Sequence, residues 1–538
     1  MNKLLSLLIY LLMQLLQRRT AAQTCSNNLN VTYPAPVAAS GWEYRLIANG
    51  LTRPRGIAFD ADGGLLVVQS GVGLTHLTLD DDGGTCLTVI SNTTLIADPN
   101  LNHGLALSGD GRTIFVSTAE SVYSFAYDSQ AISVDLSSNA TLVTNMSNSD
   151  HTTRTLLVSN KQPDTLLVSR GSNSNEDDDA RDITSGHSQI RSYNITQLRP
   201  GDAPFDFLDG TLIGWGLRNS VGVTEHPSTG GIWSVENSVD QLQRQGQDIH
   251  QNNPAEELNY HGVLGSTDHQ GGNYGYPDCY TVWSTAGFPD LGNLQVGDQF
   301  ADDDAPSNVT DASCNTDFVP PRIAFQAHSA PLDIKFAPNA SEAFVTFHGS
   351  WNRNEPTGYR IVSLAFGSDG QPTAPQNSTN AVTDIIANAD LSNCPDQCFR
   401  PVGLAWDSAD RLWFSSDATG EIFVLERTNG TGTDGNGDGN GNGNGNGNGN
   451  GNGNGNGNGN GNGNGNGNGD GDGNGDGNGG DGDDGNGDGN GDGNGDGNGG
   501  DGNGNGGNDQ NAASGFISER QGTVAVAQAA MLAGLLLA

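Results

Sequence analysis

The stretch from Arg400 to Glu426 reads RPVGLAWDSADRLWFSSDATGEIFVLE. It holds a short apolar strand, a polar turn, a second apolar strand, a break of small residues and a third strand. Five earlier stretches follow the same order, and each predicts a small sheet that can bury its faces only against its neighbours. These copies are PRGIAFDADGGLLVVQSGVGLTHLTL from Pro54, HGLALSGDGRTIFVSTAESVYSFAY from His103, RTLLVSNKQPDTLLVSRGS from Arg154, NSVGVTEHPSTGGIWSVENS from Asn219 and PLDIKFAPNASEAFVTFHGSW from Pro331.

The repeat predicts an all-β fold, a six-bladed β-propeller over residues 23–428. Its apolar runs are short and alternating, and no long helical periodicity interrupts them. Most copies begin about 50 to 70 residues apart, which suits a four-stranded blade with its loops. The longer gap between 219 and 331 predicts an insertion at the rim of the channel face. The run Trp42–Ile47 is expected to complete the last blade and close the ring.

Both ends of the chain predict targeting segments. Residues 1–22 combine Lys3 with the apolar run LLSLLIYLLMQLL, the pattern of a secretory signal peptide. Residues 512–538 end in the apolar tail VAVAQAAMLAGLLLA behind small residues and a polar spacer, which is the order of a removable GPI-anchor signal. A tail-anchored helix is the alternative. We therefore expect a secreted protein attached to the outer cell surface, with Asn511, Ala513 and Ser514 as candidate anchor sites.

Residues 429–511 alternate glycine with asparagine or aspartate and offer no apolar side chains to bury. Such a linker is expected to stay disordered and to act as a stalk. The formal net charge of −39 excludes nucleic acid as a partner, because phosphate binding needs a basic face. Nine N-x-Ser/Thr sequons predict a glycoprotein. They lie at Asn30, Asn92, Asn139, Asn145, Asn194, Asn308, Asn339, Asn377 and Asn429.

Six cysteines in an exported chain predict disulfides rather than a metal site. Six cysteines allow 15 different sets of three disulfides. We favour the pairing of nearest neighbours in the sequence, which joins Cys25 to Cys86, Cys279 to Cys314 and Cys394 to Cys398.

Charged and polar residues recur where the copies begin. In a propeller the start of each innermost strand faces the central channel, so these residues are expected to gather around one axis. Together they predict a basic pocket that holds a polyanionic small molecule through charge-assisted bonds. The alternative is that each is a surface arginine or a satisfied core histidine. The residues are Arg55, His103, His151, Arg154, Arg218, Asn219, His328, His348, Trp351, Arg353 and Arg400.

Seven stretches together resemble the glucose/sorbosone dehydrogenase superfamily. Within it, the chain is most similar to the fungal pyranose dehydrogenases of carbohydrate auxiliary activity family 12, whose cofactor is pyrroloquinoline quinone (PQQ). The resemblance runs from Trp42 to about Glu426. The stretches are DHTTRTLLVS, GWGLRNSVGV, NPAEELNYHG, GGNYGYPDCY, AHSAPLDIKF, FHGSWNRNEPTGYRIV and FRPVGLAWD.

The resemblance implies PQQ at the channel mouth with a calcium ion against the quinone. His151 matches the family's general base, and Arg218 with Asn219 matches a pair that contacts the cofactor. His151 and Arg218 are therefore the expected catalytic residues. Cofactor contacts are expected from Arg55, His103, Arg154, Arg218, Asn219, His328, His348, Trp351, Arg353 and Arg400. The calcium loop of the family matches the segment with Asn237 and Ser238, although this segment lacks the Gly-Pro pair of bacterial relatives.

The resemblance implies oxidation of the anomeric carbon of a pyranose or other aldose, or of a sorbosone-like ketoaldose. His151 would take the hydroxyl proton, with Asp150 beside it to orient the ring. Hydride would pass to the quinone, and electrons would then pass to an external acceptor, either a separate cytochrome or a quinone. We expect a monomer that touches the membrane only through its anchor. Two rival readings are a calcium-dependent sugar lactonase and a non-enzymatic wall or adhesion propeller.

Overall fold

The computed structural model describes residues 25–197 and 201–428. The expected signal peptide, Gly-Asn/Asp linker and anchor signal lie outside the described residues, as does the sequon at Asn429. Within the described ranges the regular secondary structure is mostly β-strand, and the one α-helix there is Asp311–Asp317. None of the helices in these ranges is long and apolar enough to cross a membrane. Short 3-10 helices lie at Asp178–Arg181, Ile183–Ser185, Ile195–Gln197, Phe207–Asp209 and Leu391–Asn393.

The first half of the described chain forms two N-terminal strands and three sheets. The N-terminal strands are β1 (Val37–Ala38) and β2 (Trp42–Ala48). Blade 1 contains β3 (Pro54–Phe59), β4 (Leu65–Gln69), β5 (Gly73–Asp81) and β6 (Leu87–Ile96). Blade 2 contains β7 (Leu105–Leu107), β8 (Thr113–Ser117), β9 (Val122–Asp128) and β10 (Ser133–Thr144). Blade 3 contains β11 (Leu156–Val158), β12 (Thr165–Arg170), β13 (Gln189–Asn194) and β15 (Thr211–Trp215). The short strand β14 (Phe205–Asp206), between β13 and β15 in the chain, pairs with β10 and so belongs to blade 2.

The second half forms three further sheets and two small hairpins. Blade 4 begins with β16 (Ser220–Glu225) and β17 (Gly231–Glu236), which β18 (Gln243–Arg244) and β19 (Gln247–Asp248) follow. The third strand of blade 4 is β20 (Glu256–Val263) and the fourth is β24 (Ile323–Phe325). Between them, β21 (Gly272–Asn273) joins blade 3, and β22 (Cys279–Thr281) pairs with β23 (Gln299–Ala301). Blade 5 contains β25 (Pro331–Phe336), β26 (Glu342–Phe347), β27 (Arg360–Ala365) and β28 (Val382–Ala387). Blade 6 contains β29 (Pro401–Trp406), β30 (Leu412–Ser416) and β31 (Glu421–Arg427).

The six sheets confirm the predicted six-bladed propeller. The strand β2 pairs antiparallel with β31, from Trp42 opposite Arg427 to Ala48 opposite Ile422, and so becomes the outer strand of blade 6. The N-terminal run therefore closes the ring as expected. The long gap in the repeat holds the two hairpins β18–β19 and β22–β23 together with the α-helix.

One apolar layer lies between each pair of neighbouring blades, because the strands are apolar on both faces. In β4, Leu65 and Val67 pack towards blade 6, whereas Leu66 and Val68 pack towards blade 2. This alternation follows from the two-residue period of a strand. The continuous apolar run LLVV therefore predicts a strand that is buried on both sides.

The innermost strands approach one another closely at glycines. A Cβ atom on Gly403 would lie 2.3 Å from the Arg55 carbonyl oxygen, and one on Gly56 would lie 2.2 Å from the His103 carbonyl oxygen. A Cβ atom on Gly104 would lie 2.2 Å from the carbonyl oxygen of Arg154. Each glycine belongs to one blade and each carbonyl to the next, so the glycines let blades 6, 1, 2 and 3 meet around the axis.

The three expected disulfides are confirmed. They join Cys25 to Cys86, Cys279 to Cys314 and Cys394 to Cys398, and the described residues contain no free cysteine. The first ties the N-terminal segment to blade 1, and the second closes part of the insertion between β22 and the α-helix.

Candidate active site at the channel mouth

The starts of the inner strands and the ends of the second strands lie at the same end of the propeller. In each blade the inner strand runs antiparallel to the second strand, so the start of the first lies beside the end of the second. In blade 6 Pro401 lies opposite Ser416, and in blade 4 Ser220 lies opposite Glu236. Residues just before an inner strand and just after a second strand therefore share this end, which we call the channel mouth.

Apolar side chains of three inner strands pack against one another below the mouth. Val221, Leu332 and Val402, from blades 4, 5 and 6, form one buried cluster. Hydrogen bonds and charge pairs among buried polar groups of the mouth are stronger than in water.

Arg55, His103 and His348 gather around a carboxylate that the sequence reasoning did not single out, Asp417. Arg55 Nη1 lies 2.6 Å from Asp417 Oδ2, and His348 Nε2 lies 2.7 Å from Asp417 Oδ1. Arg55 Nε also donates to His103 Nδ1 at 3.3 Å. We call these residues, together with Arg400, the Asp417 cluster.

Arg400 joins the Asp417 cluster through the backbone. Its Nε donates to the His348 carbonyl at 3.2 Å and its Nη2 donates to the Gly349 carbonyl at 2.8 Å. The guanidinium carbon also lies 5.5 Å from the ring centre of Tyr359, within the range of a cation–π contact. The charge of Arg400 is thus held close to Asp417 without a direct salt bridge.

The charges of the Asp417 cluster set its protonation states. Burial opposes ionisation of Asp417, but His348, Arg55 and Arg400 outweigh it and hold the pKa of Asp417 well below its usual value. Burial lowers the pKa of His348 to about 4, and Arg400 acts in the same direction. Burial and Arg55 also hold the pKa of His103 well below its usual value. Both imidazoles are therefore neutral near pH 7, and the net charge of the cluster is positive.

Arg218 is fully buried and forms a second cluster with Asn175 and Asp240. Its Nη2 lies 2.7 Å from Asn175 Oδ1 and 3.1 Å from Asp240 Oδ2, and its Nε donates to the Asn175 carbonyl at 2.9 Å. The backbone N–H of Arg218 donates to Glu236 Oε1 at 2.6 Å. Its guanidinium and its backbone are thus held from two sides.

His151 is fully buried and lies beside Ser172. Its Nδ1 lies 2.8 Å from Ser172 Oγ and 3.1 Å from the Ser172 carbonyl oxygen, and Ser172 N donates to the Arg218 carbonyl at 2.8 Å. Burial, reinforced by Arg218, holds the pKa of His151 well below its usual value. Ser172 thus lies within hydrogen-bond distance of Nδ1 through both its hydroxyl and its carbonyl.

Arg154 has a different environment from Arg55. It is fully buried, and its two Nη atoms donate to the backbone carbonyls of His151, Thr153 and Met146. Burial lowers its pKa to about 9. The Nη atoms of Arg154 therefore hold the backbone that carries His151, whereas its Nε has no hydrogen-bond partner among the described residues.

The residues from blade 5 line one side of the mouth. Asn352 Nδ2 lies 2.9 Å from the Asp240 carbonyl oxygen and 3.2 Å from His328 Nδ1. His328 is buried, and burial lowers its pKa to about 4. Arg353 donates to the carbonyls of Gln251 and Glu355, and Trp351 is half-buried.

Asn237 and Ser238 directly follow β17, at the level of Arg218. The Asn237 carbonyl accepts from Arg218 Nη1 at 3.2 Å, and its Nδ2 donates to the Pro331 carbonyl at 2.7 Å. Ser238 N donates to Glu256 Oε2 at 2.7 Å. Burial raises the pKa of Glu256 to about 8 and, against the effect of Arg218, that of Asp240 to about 6. Two buried carboxylates with raised pKa values thus adjoin the segment expected to hold calcium.

Several buried polar atoms at the mouth have no hydrogen-bond partner among the described residues. They include two donors, Arg55 Nη2 and Asn219 Nδ2, and one ring nitrogen, His348 Nδ1. Unpaired buried donors are rare in folded proteins because each costs about 1–3 kcal/mol. The mouth therefore has the donor set of a site for an anionic or oxygen-rich ligand.

The sequence predicted residues that precede inner strands, but several residues that end or follow second strands were not singled out. These are Ser172, Glu236, Asp240 and Asp417, although Glu236 and Asp240 lie in the segment 233–240 that was matched to the calcium loop. The sequence does mark these positions, because each lies at the end of the second apolar strand of its copy or within four residues after it. Asp417, for example, directly follows the run LWFSS.

Comparison with known proteins identifies the family. A family model described as TrAA12-like matches residues 36–428. The chain is 61% identical over 427 residues to a pyrroloquinoline quinone-dependent sugar dehydrogenase of Hypocrea jecorina, covering 79% of this chain and 97% of that one. It is 41% identical over 409 residues to a pyrroloquinoline quinone-dependent pyranose dehydrogenase of Coprinopsis cinerea, covering 73% of this chain and 54% of the relative, about half its length.

Solved structures agree with this comparison. The calcium structure of a Trichoderma reesei protein of Carbohydrate-Active Enzymes family AA12 superposes with a TM-score of 0.74 at 64% identity, covering 75% of this chain and all of that one. The holo form of the pyranose dehydrogenase PQQ domain from Coprinopsis cinerea gives a TM-score of 0.69 at 38% identity, covering 75% and 99%. The fold, the residues at its mouth and these relatives together place the chain in the TrAA12-like family.

Proposed function

We propose that this chain is a PQQ-dependent sugar dehydrogenase that oxidises the anomeric carbon of pyranose or related aldose sugars to the lactone. The observation that carries the proposal is the set of buried, unpartnered donors at the channel mouth, beside a neutral histidine. The names of the relatives in Hypocrea jecorina and Coprinopsis cinerea support the same cofactor and substrate class.

The mouth fits a planar tricarboxylate. Arg55, Arg218 and Arg400 supply positive charge, and Arg55 Nη2 and Asn219 Nδ2 are donors still to be satisfied. When bound, PQQ would accept hydride from the sugar. Arg55 would hold the cofactor by a charge-assisted hydrogen bond and Asn219 by an amide hydrogen bond. The salt bridge to Asp417 would keep Arg55 in position.

His151 is the proposed general base. Burial and Arg218 keep the imidazole neutral, so one ring nitrogen can accept the proton of the anomeric hydroxyl. Arg218 would stabilise negative charge that develops next to it, since its guanidinium is fixed by Asn175 and Asp240 before substrate arrives.

A calcium ion fits the segment of Asn237 and Ser238 because hard cations prefer carboxylate and carbonyl oxygens. Asp240 and Glu256 are buried carboxylates beside that segment, and a cation there would favour their ionised forms. The ion itself would act as a Lewis acid. Removal of calcium with a chelator is therefore expected to abolish dye reduction, and added calcium is expected to restore it.

The proposal extends to the cell surface. We propose a secreted, glycosylated monomer held by a GPI anchor, which passes electrons to a separate cytochrome or quinone. The sequons within the described residues support glycosylation, since all eight of their asparagines are exposed. They are Asn30, Asn92, Asn139, Asn145, Asn194, Asn308, Asn339 and Asn377.

Reconstitution tests the proposed function. The purified protein is titrated with PQQ in the presence of calcium, and reduction of an artificial electron-accepting dye is followed over a panel of aldoses. We expect stoichiometric cofactor binding and sugar-dependent dye reduction. If the protein neither binds PQQ nor reduces the dye, the dehydrogenase proposal is rejected and the adhesion propeller remains. Lactone hydrolysis without PQQ would instead favour the lactonase.

A further inference from the structure

The loop around His151 determines which ring nitrogen carries the proton. We propose that Ser172 is a positioning residue that holds His151 as the Nδ1–H tautomer and leaves the lone pair on Nε2. This inference rests on the proposed role of His151 as the general base. It concerns the proton on the base before any substrate or cofactor binds.

The first support is the backbone contact. His151 Nδ1 lies 3.1 Å from the Ser172 carbonyl oxygen. A carbonyl oxygen can only accept a hydrogen bond, so the hydrogen of this contact must come from Nδ1. A neutral imidazole has a single N–H, and Nε2 is then unprotonated.

The second support is the direction of the Ser172 hydroxyl. Ser172 Oγ lies 2.6 Å from the carbonyl oxygen of Ser174, to which it must donate its only hydrogen. The same Oγ lies 2.8 Å from His151 Nδ1 and can only accept there. Both atoms that Ser172 presents to Nδ1 are therefore acceptors, and they require the same tautomer.

The backbone on both sides of this contact is clamped. Asn148 Nδ2 lies 3.1 Å from the His151 carbonyl oxygen and 2.8 Å and 3.0 Å from those of Gly171 and Ser172. A Cβ atom on Gly171 would lie 2.7 Å from His151 Cβ, so glycine is needed for the two segments to approach this closely. The position of Ser172 relative to the ring is thus set by the loop and not by a free rotation.

The tautomer matters for proton transfer. A proton taken from a sugar hydroxyl at Nε2 makes an imidazolium whose Nδ1–H already points at two acceptors. These acceptors stabilise the charge, whereas the guanidinium groups of Arg218 and Arg154 destabilise it. Ser172 therefore makes His151 a stronger base than its cationic neighbours alone would allow.

Nitrogen NMR of the apoprotein tests the tautomer directly. The full chain is labelled with ¹⁵N-histidine, and His151 is assigned by comparison with His151→Gln. We expect a proton on Nδ1 and an unprotonated Nε2 at neutral pH. A proton on Nε2, or an imidazolium, would overturn the proposal. Because the measurement needs no turnover, it stands even if the proposed dehydrogenase activity is absent.

Three variants test the role of Ser172. Ser172→Ala leaves only the carbonyl acceptor, so we expect kcat to fall about 2- to 10-fold with little change in KM, the cost of one hydrogen bond. The acid limb of the pH profile should move to lower pH, because the imidazolium loses an acceptor. Ser172→Thr keeps the hydroxyl and should restore both values. Ser174→Ala is the matched control, because its backbone carbonyl remains. If Ser172→Ala and Ser174→Ala behave alike in rate and in pH profile, the hydroxyl has no positioning role.

Discussion

At the residue scale, the partners of an arginine decide whether it can bind a ligand. Arg55 and Arg154 are both buried and occupy similar places in their copies of the repeat. Arg55 pairs with Asp417 and keeps Nη2 without a partner, whereas the Nη atoms of Arg154 are committed to backbone carbonyls. The same residue type is thus proposed to contact the ligand in blade 1 and supports a loop before blade 3.

The unpaired Nη2 donor of Arg55 is expected to contribute to cofactor affinity. Arg55→Lys keeps the charge but loses the second Nη donor, so we expect the Kd for PQQ to rise about 10-fold or more. Calorimetric titration measures the change. Arg411→Lys is the control, because Arg411 is also buried and paired, with Asp81 and Asp407, before β30 and away from the mouth. Equal affinity in the wild type and Arg55→Lys would remove Arg55 from the cofactor site.

Residue types at the mouth could be predicted from the sequence only in part. Arg55, Arg218 and Arg400 stand out because charge is unexpected in an apolar repeat. Ser172 and Asp417 do not, because small and acidic residues are common after strands. Their role depends on the antiparallel pairing that brings the end of a second strand beside the start of an inner one.

At the scale of elements, the inner strands depend on glycine for contact between blades. A Cβ atom on Gly403 would meet the backbone of blade 1, with the Arg55 carbonyl oxygen 2.3 Å away. Backbone cannot move aside as a side chain can, and the site residues sit on these same strands. The close packing of the inner strands therefore also determines where the residues of the mouth lie.

Gly403→Ala is expected to destabilise the propeller by about 1–3 kcal/mol through overpacking. Chemical denaturation measures the free energy of unfolding. Gly109→Ala is the matched control, because its added Cβ atom would meet only the Pro163 side chain, at 3.6 Å. We expect the control to change stability by less than about 0.5 kcal/mol. A Gly403→Ala protein as stable as the control would contradict the close approach.

A buried histidine in blade 4 is expected to make stability pH-dependent. Burial lowers the pKa of His261, on β20, to about 3, below the value of about 6.5 for the unfolded chain. Its contribution is fully present above pH 6.5 and is lost as pH falls towards 3, because the unfolded state then binds the proton. Between pH 7 and pH 4 the loss is on the order of 3 kcal/mol.

His261→Gln isolates this contribution. Unfolding free energies of the wild type and the variant are measured at pH 7 and pH 4. The wild type should lose more stability than the variant as the pH falls, since only the wild type has the depressed histidine. Parallel pH dependence in the two proteins would show that His261 is not protected from protonation.

At the scale of the whole molecule, the ring is closed by non-covalent pairing and secured by disulfides. β2 pairs with β31 across the join, and Cys25–Cys86 ties the segment before β2 to blade 1 over 61 residues. The repeat predicted the blades and the closing strand, because periodic apolar runs are a long-range signal. It also predicted an insertion between residues 219 and 331, but not the strands and the helix within it, because these have no counterpart in the other copies.

Loss of the Cys25–Cys86 link should cost more than loss of the Cys394–Cys398 link, since a longer closed loop restricts the unfolded chain more. The double serine variant of Cys25 and Cys86 is expected to lose about 2–5 kcal/mol of stability. The double variant of Cys394 and Cys398, separated by 4 residues, is the control with a smaller expected loss. Thermal unfolding of the two variants checks the order, and the reverse order would contradict it.

We propose that the channel mouth oxidises sugar with His151 as the base. Anaerobic stopped-flow spectroscopy of the PQQ-loaded protein tests it most directly, with the aldose that reduces the wild type fastest. We predict rapid bleaching of the oxidised quinone in the wild type. In His151→Ala we predict the same cofactor affinity but reduction slower by about 10²- to 10⁴-fold. Reduction of the variant at the wild-type rate, or a loaded wild type that no aldose reduces, would contradict the account.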